Sequence, residues 1–334
     1  MIIVKAPLRI SFVGGGTDLP SFYHAYPGRV LSTAIDKYVY VAINPTPLIK
    51  KIVARYSESE VVNHPSQLKN DRMREALLDL GIYSNIDITT FSHVPIKTGL
   101  GGSSSFSVAL MKGLHEYLGK KIDHREVAEA ACRLEIDLLK EPIGKQDQYA
   151  AAFGGFNIFQ FNPDESVDVQ PVFLNYKTRL DFQRHLLMFF TGVTRSASSV
   201  LKEQNEKTST NIDSLKEMAE FPLQFKEKLM RGEFRDLGAL LHENWLHKKQ
   251  LASNISNSTI DELYQAGLDA GAWGGKILGA GNGGCLLFIA PPEKHDAIRK
   301  VLYATAEKNA LGDFCEIPFR FAQSGVEIFY RHNI

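Results

Sequence analysis

The sequence predicts a two-domain protein of the α+β class. The chain has 334 residues, more than a single hydrophobic core usually spans. Its first third is mostly β-branched and aromatic runs typical of strands, and a helical period begins only after Ser103. Strand-like and helix-like segments then mix in the C-terminal half. We therefore divide the chain into domains at 1–165 and 166–334, and expect an antiparallel sheet in the second.

The N-terminal elements are mainly strands. Residues 2–13 run apolar up to Gly14, and the next run is rich in Val, Ile and Tyr before Pro45 and Pro47 close it. The predicted elements of this part are strands at 2–13, 28–45, 52–57 and 86–96, with a helix at 73–80.

Helices follow the serines. Apolar residues recur at helical spacing from Phe106 to Leu118, and Gly119 stands where a C-terminal cap belongs. Asp123 and Glu126 have the spacing of a capping box. The remaining predicted elements of the first domain are helices at 124–140 and 145–155, and a hairpin at 156–172 with its turn at 162–165.

The second domain alternates strands and helices, without an internal repeat or a low-complexity linker. Its predicted elements are a strand at 186–192, a polar helical region at 196–251, a helix at 260–272, two strands flanking 279–284, a helix at 294–308, and final strands at 315–321 and 325–330.

Composition excludes several classes of partner. Lys+Arg and Asp+Glu both total 38, so the formal net charge is zero and no bulk charge favours nucleic acid or a membrane surface. Cys132, Cys285 and Cys315 are odd in number and form no CxxC pair, which indicates a reducing compartment. No apolar run approaches 18 residues and the N-terminus reads as a strand, so we expect a cytoplasmic protein. The sequence leaves open whether the protein forms a homodimer.

Three glycine clusters carry the functional signal. In residues 99–105 the glycines at 99, 101 and 102 free backbone N–H groups to turn toward one point, where Ser103 begins a helix. The positive end of that helix faces the same point, which suits a phosphate. No lysine follows, so this is not a Walker A loop. A surface turn with serine caps is the alternative.

The other two clusters are weaker by themselves. Residues 279–284, GAGNGG, satisfy GxGxxG, but a strand-like segment follows where a dinucleotide fold needs a helix. This favours a hairpin in which the backbone comes close to another group. Gly14–Gly16 precede Thr17 and Asp18, and a strand-to-loop turn capped by Asp18 is the alternative there.

Together, "APLRISFVGGGTDLP", "PIKTGLGGSSSFS" and "KILGAGNGGC" resemble, in order and spacing, the three motifs of the GHMP kinases. The resemblance spans residues 4 to about 330. It implies an N-terminal α/β domain like ribosomal protein S5, a C-terminal ferredoxin-like α+β domain, and an active site in the cleft between them. It also implies ATP and Mg²⁺ as cofactors. The second motif usually reads GLGSSS, and Gly102 here replaces its first serine.

The resemblance assigns roles residue by residue. Asp147 matches the catalytic aspartate, and Arg9 the cation beside the transferring phosphoryl group, with a structural ion pair as the alternative for Arg9. Ser103 and Glu135 match the metal ligands; a solvated helix glutamate is the alternative for Glu135. The residues implied to bind the nucleotide phosphates are Gly99, Leu100, Gly101, Gly102, Ser103 and Ser104.

The expected acceptor and its binding residues follow from the same resemblance. "GGGTDLP" is similar to the sugar 1-kinase branch that includes D-glycero-D-manno-heptose 7-phosphate kinases and L-fucokinases, so the expected partner is a small sugar or sugar phosphate. A catalytically inactive sensor and an ATP-dependent decarboxylase of the superfamily are two competing hypotheses. The residues expected to bind substrate are Gly15, Gly16, Thr17, Asp18, Arg195, Gly281, Asn282 and Gly283. Lys145, Lys276 and Arg195 are the candidate phosphate partners.

Overall fold

Strands occupy most of the regions where the sequence predicts them. The computed structural model describes residues 1–95, 97–194 and 198–331. Its strands are β1 Ile2–Val13, β2 Gly28–Pro45, β3 Ile52–Arg55, β4 Ser59–Val62, β5 Ile86–Ser92, β6 Phe156–Phe161, β7 Val167–Pro171, β8 Leu186–Phe190, β9 Gly274–Ile277, β10 Cys285–Ile289, β11 Cys315–Glu316 and β12 Glu327–Arg331.

Helices cover both halves of the chain. They are α1 Pro20–Tyr23, α2 Asp71–Asp79, α3 Gly102–Tyr117, α4 His124–Cys132, α5 Gln146–Phe153, α6 Tyr176–Arg184, α7 Ser198–Glu206, α8 Ile212–Arg231, α9 Phe234–Gln250, α10 Ser258–Asp269 and α11 His295–Lys308. The capping box that begins α4 is formed, with Glu126 N donating to Asp123 Oδ1 at 2.9 Å. A π-helical turn, Arg133–Leu138, continues α4. Among the described helices, each is too short or too polar to span a bilayer.

The larger sheet is built around the long antiparallel pair β1 and β2, whose register runs from Ile2 opposite Ile43 to Val13 opposite Leu31. The strand order is β12-β1-β2-β5-β3-β4, and β6 pairs with both β2 and β7. Strands β3 and β5 pair in parallel, and the other pairs are antiparallel. Helices α3 and α5 pack against β1 and β2, which brings the helix starts at Gly102 and Gln146 to the same side of the sheet.

The last strand lies in a different sheet from the one the sequence predicts. The prediction that 325–330 belongs to the C-terminal sheet was wrong, because β12 pairs with β1 and Lys5 forms an ion pair with Glu327 at 2.6 Å. The strand predicted at 315–321 shortens to β11. Since β7 and β12 both lie in the larger sheet, the chain crosses between the two sheets more than once. The division at 165/166 remains a prediction.

The smaller sheet has the antiparallel order β11-β8-β10-β9. Strands β8 and β10 are buried along their whole length, because helices cover them; α9 packs against β9 and β10. Leu8, Ile10 and Phe12 of β1 belong to the same buried cluster as the residues of this sheet. The two sheets therefore share one core, and the functional cleft opens where they meet.

Candidate active site

A cleft of about 780 Å³ lies between the two sheets, within the range of small-molecule sites. All three glycine clusters reach its wall: the loop after β1, the loop before α3 and the hairpin between β9 and β10. The described residues that the sequence singles out and that line it are Arg9, Gly15, Gly16, Asp18, Gly99, Gly101, Gly102, Ser103, Ser104, Asp147, Lys276, Gly281 and Gly283. The structure thus brings together segments far apart in the chain.

Two of the glycine clusters pack backbone against backbone. A Cβ on Gly99 would lie 2.3 Å from Leu278 O, and a Cβ on Gly279 would lie 2.7 Å from Gly99 Cα. Both glycines have φ near +75°, a region that side chains disfavour. Cys285 N also donates to Thr98 O at 2.9 Å. The second and third motifs therefore form one structural unit, in which glycine is needed for contact within the protein.

The start of α3 lies on the cleft wall. Gly101 caps this 16-residue helix in the left-handed conformation, and Ser103 is exposed in the first turn. First-turn N–H groups lack partners inside a helix, so they are available to an anion. Leu100 is fully buried and its carbonyl oxygen accepts from Arg9 N at 3.0 Å. Leu100 therefore anchors the loop through its buried side chain and its contact with Arg9, and it is not among the residues that line the cleft.

Arg9 and Asp147 form a two-point ion pair on the cleft wall. Arg9 Nε donates to Asp147 Oδ1, and Arg9 Nη2 to Asp147 Oδ2, both at 2.7 Å. The third guanidinium nitrogen donates to Gly99 O at 2.6 Å. The Arg9 side chain is 4% exposed and that of Asp147 is 25% exposed. Arg9 is therefore the ion-pair partner of Asp147, and it also connects that carboxylate to the loop that precedes α3.

Asp18 also lies on the cleft wall, in a polar network that we call the Asp18 network. Its Oδ1 accepts from Gly16 N at 2.9 Å and its Oδ2 accepts from Gln146 Nε2 at 3.0 Å. Gln146 in turn accepts from Ser11 Oγ at 3.0 Å. Burial raises the pKa of the Asp18 carboxyl above its ordinary value. Hydroxyl and amide groups around a carboxylate suit a ligand rich in hydroxyls.

The remaining predicted substrate residues do not all face the cleft. Thr17 is fully buried, and its hydroxyl oxygen lies 2.8 Å from Gly14 O and 2.9 Å from Arg29 O, either of which can accept its one proton, so it shapes the loop. Asn282 is held by Ile255 O and by the Asn257 side chain, while its neighbours Gly281 and Gly283 line the cleft. Arg195 lies outside the described residues.

Glu135 lies beneath the cleft wall. It is fully buried, and Oε1 accepts from Ser107 Oγ at 2.9 Å and from two Arg72 nitrogens at 3.1 Å, while Oε2 accepts from Gln148 Nε2 at 2.6 Å. Arg72, on α2, lines the cleft and also contacts Glu141. Ser103 fits a metal ligand, but Glu135 does not in this arrangement, because both of its oxygens already accept hydrogen bonds from protein donors.

The two candidate lysines are also held by protein groups. Lys276 is buried and donates to Ser11 O at 2.9 Å and Phe12 O at 3.0 Å. Burial lowers its pKa well below the usual range for lysine. Lys145 pairs with Glu165 and packs over the Tyr23 ring. Both lysines therefore fasten loops of the protein.

Among the polar side chains of the cleft wall that sequence reasoning missed are two buried ones from the C-terminal helices, Gln204 on α7 and Lys248 on α9. Gln204 is 2% exposed, and among the described residues its side-chain nitrogen has no hydrogen-bond partner. Lys248 continues the buried stripe of Leu241 and Trp245 at spacings of four and three. That helical period is a signal in the sequence that could have identified Lys248 as the inward member of a Lys-Lys pair.

The comparisons with known proteins agree with this geometry. The GHMP kinases N terminal domain matches residues 68–155, and the GHMP kinases C terminal domain matches residues 225–308. A Campylobacter jejuni D-glycero-alpha-D-manno-heptose 7-phosphate kinase is 30% identical and covers 98% of each chain. A bifunctional fucokinase/GDP-fucose pyrophosphorylase of Arabidopsis thaliana is 28% identical over 91% of this chain, which spans 31% of that protein.

A solved structure gives the same result for the fold. A D-glycero-D-manno-heptose 1-phosphate kinase from Bacteroides thetaiotaomicron superposes with a TM-score of 0.81 at 24% identity and covers all of both chains. The predicted fold, with its N-terminal and C-terminal kinase domains, is therefore confirmed. With a full-length relative at 30% identity and both domains matched, the chain belongs to the GHMP kinases and is a kinase.

Proposed function

We propose that the protein uses ATP to phosphorylate the anomeric hydroxyl of D-glycero-D-manno-heptose 7-phosphate, forming the 1,7-bisphosphate. The observation that carries the phosphoryl-transfer chemistry is the Arg9–Asp147 pair beside the start of α3. It joins a cleft carboxylate to the Gly99 loop through Gly99 O, at 2.6 Å. The product would supply routes to nucleotide-activated heptose for surface polysaccharides.

The proposed reaction is a direct transfer. The anomeric oxygen forms a bond to the γ-phosphorus of ATP, and the bond from that phosphorus to the bridging oxygen breaks, with its electron pair leaving on ADP. Asp147 orients the hydroxyl and is positioned to accept its proton. Backbone N–H groups of Gly99–Ser104 hold the phosphates, and Arg9 keeps Asp147 aligned. Positioning and charge neutralisation are the main needs of such a reaction.

Magnesium would accompany ATP in this proposal and would neutralise phosphate charge. Ser103 would hold it together with the phosphate oxygens of the nucleotide. Glu135 would join only by giving up Arg72, which lies 3.1 Å from it. No step above depends on the ion.

Acceptor binding would use the Asp18 network. Asp18, Gln146 and Gln204 offer a carboxylate and amide groups at the cleft wall, and vicinal hydroxyls pair well with such groups. The choice of a heptose phosphate rests on the likeness to the Campylobacter jejuni relative. The described lysines Lys145 and Lys276 are already held by protein groups, so they add no support for a distal phosphate.

A competition assay tests the proposal. The full chain receives ATP, Mg²⁺ and equal concentrations of heptose 7-phosphate and L-fucose, with ADP release as the rate and mass spectrometry of both sugar products as the readout. Asp147→Asn serves as the background control. We expect kcat/KM for the heptose phosphate to exceed that for L-fucose by at least about 10-fold.

An L-fucokinase-like activity is the second candidate, favoured by the 28% identity with the plant fucokinase. Preference for L-fucose in the assay would establish it and reject the heptose proposal. Tight binding of sugar and ATP with no ADP release would instead indicate a sensor.

A further inference from the structure

Lys248 is the buried cation of the cleft that the chemistry above leaves unused. It is 5% exposed, lies on the inward face of α9 and lines the cleft. Of the described residues, Gly279 alone accepts a hydrogen bond from its ammonium, through its carbonyl oxygen. An ammonium has three N–H donors, so two of them remain for a ligand.

The other cations near it are already neutralised or held. Arg9 is paired at two points with Asp147, and Lys276 donates to two carbonyl oxygens. The charges of Arg9, Asp18 and Asp147 affect the pKa of Lys248. The charge of Lys248 in turn lowers the pKa of Lys276. In the described part of the chain, no carboxylate forms an ion pair with Lys248, and a buried cation without such a partner is costly.

A chain of contacts links the Lys248 ammonium to the loop that precedes α3. Gly279, whose oxygen holds Lys248, packs directly on Gly99, since a Cβ there would come within 2.7 Å of Gly99 Cα. Gly99 O in turn accepts from Arg9 at 2.6 Å. Lys248, on a helix of the C-terminal half, is therefore linked through Gly279 to the loop that precedes α3.

We propose that Lys248 is a catalytic residue whose ammonium binds the anionic oxygens of the γ-phosphoryl group while that group passes from ATP to the sugar. Its contact is with the phosphoryl group, so the proposal holds for any acceptor sugar. An entering phosphate supplies the negative charge that the buried site lacks. The positive charge of the ammonium stabilises the transition state further, because negative charge spreads over the transferring oxygens as the bond to ADP breaks.

Nucleotide binding tests this without any sugar. The affinities of Lys248→Met for AMP-PNP, which has a γ-phosphoryl group, and for ADP, which has none, are measured by calorimetry. We expect AMP-PNP to bind roughly 10- to 100-fold more weakly than to wild type, as for a hydrogen bond between charged groups, and ADP to bind unchanged. Lys248→Arg keeps the charge and should retain the preference for AMP-PNP.

Lys249→Met is the matched control, because this neighbouring lysine is partly exposed and pairs with Asp261 at 3.4 Å. It should bind both nucleotides as wild type does. Equal weakening of AMP-PNP and ADP by Lys248→Met would show that Lys248 only supports the Gly279 loop, and no weakening of either would also overturn the proposal.

A pH profile adds a readout that a structural role would not move. Burial lowers the pKa of Lys248 to about 8, so the kcat/KM of wild type for ATP should fall as pH rises through that value. Lys248→Met should lack this alkaline decrease, and Lys249→Met should keep it. An identical decrease in Lys248→Met would contradict the assignment.

Discussion

Replacing Lys248 with Met should stabilise the fold at neutral pH while it impairs the enzyme. The pKa of the buried amine is lowered from 10.5 to about 8, and each pKa unit corresponds to about 1.4 kcal/mol, so the charged lysine costs the folded state about 3 kcal/mol. Methionine removes that cost but leaves Gly279 O without its donor, a loss of about 1 kcal/mol. The net expected gain is about 2 kcal/mol, or roughly 3 °C in Tm.

The sign of the pH dependence separates this cause from better packing. Between about pH 8 and 10.5 the unfolded chain binds the lysine proton and the folded chain does not. The stability of wild type attributable to Lys248 therefore rises with pH in that window. The advantage of Lys248→Met should be full below pH 8 and shrink toward pH 10.5.

Urea unfolding of wild type, Lys248→Met and Lys249→Met at pH 7, 8, 9 and 10 measures this advantage. Lys249→Met should track wild type throughout, because its amine is partly exposed. A stability gap between Lys248→Met and wild type that stays constant with pH would refute the electrostatic reasoning, and so would a less stable variant at pH 7.

Three further substitutions test the cleft. Asp147→Asn should lower kcat by at least about 10²-fold, the smaller end of general-base effects, with an unchanged circular dichroism spectrum; near-wild-type turnover would rule out its role. Glu135→Gln should lose about 2 kcal/mol in urea unfolding, because it weakens the buried charged hydrogen bonds from Arg72 and Ser107 while Arg72 keeps Glu141, and unaltered stability would contradict the ion pair. Gly279→Ala should lower kcat/KM at least about 10-fold, since the new methyl meets Gly99 at 2.7 Å. Gly119→Ala, at a similar φ but with open space around it, should leave kcat/KM unchanged; equal losses in both would implicate φ alone.

Local chemistry made much of the fold predictable. The capping box of Asp123 and Glu126 lies within four residues of sequence, and the structure forms it. The alternation in 325–330 likewise predicts a strand, but not which sheet receives it. Its pairing with β1 depends on contacts more than 300 residues apart in the chain, such as Lys5 with Glu327, and no local pattern encodes such a partner.

The part of the site that lies within sequence motifs was predictable. The three glycine motifs all reach the cleft, and Arg9 meets Asp147 there. The polar groups from the C-terminal helices were not predicted, because Gln204 and Lys248 belong to no motif. Their placement follows from the packing of α7 and α9 over the cleft, which the helical period alone only partly indicates.

The glycines of the second and third motifs have a reason to be present that is independent of any ligand. Gly99 and Gly279 allow two loops from different sheets to touch through their backbones, and this contact fixes where the start of α3 lies relative to the carbonyl that holds Lys248. A phosphate between them would meet N–H groups on one side and a buried ammonium on the other. Among the described buried cations of the cleft, Arg9 and Lys276 are already neutralised or held by protein groups, so the ammonium of Lys248 is the buried cationic group that a phosphate would complete. The contact between Gly99 and Gly279 and the buried ammonium of Lys248 then act on the same phosphoryl group, so disrupting either should weaken the binding of that group.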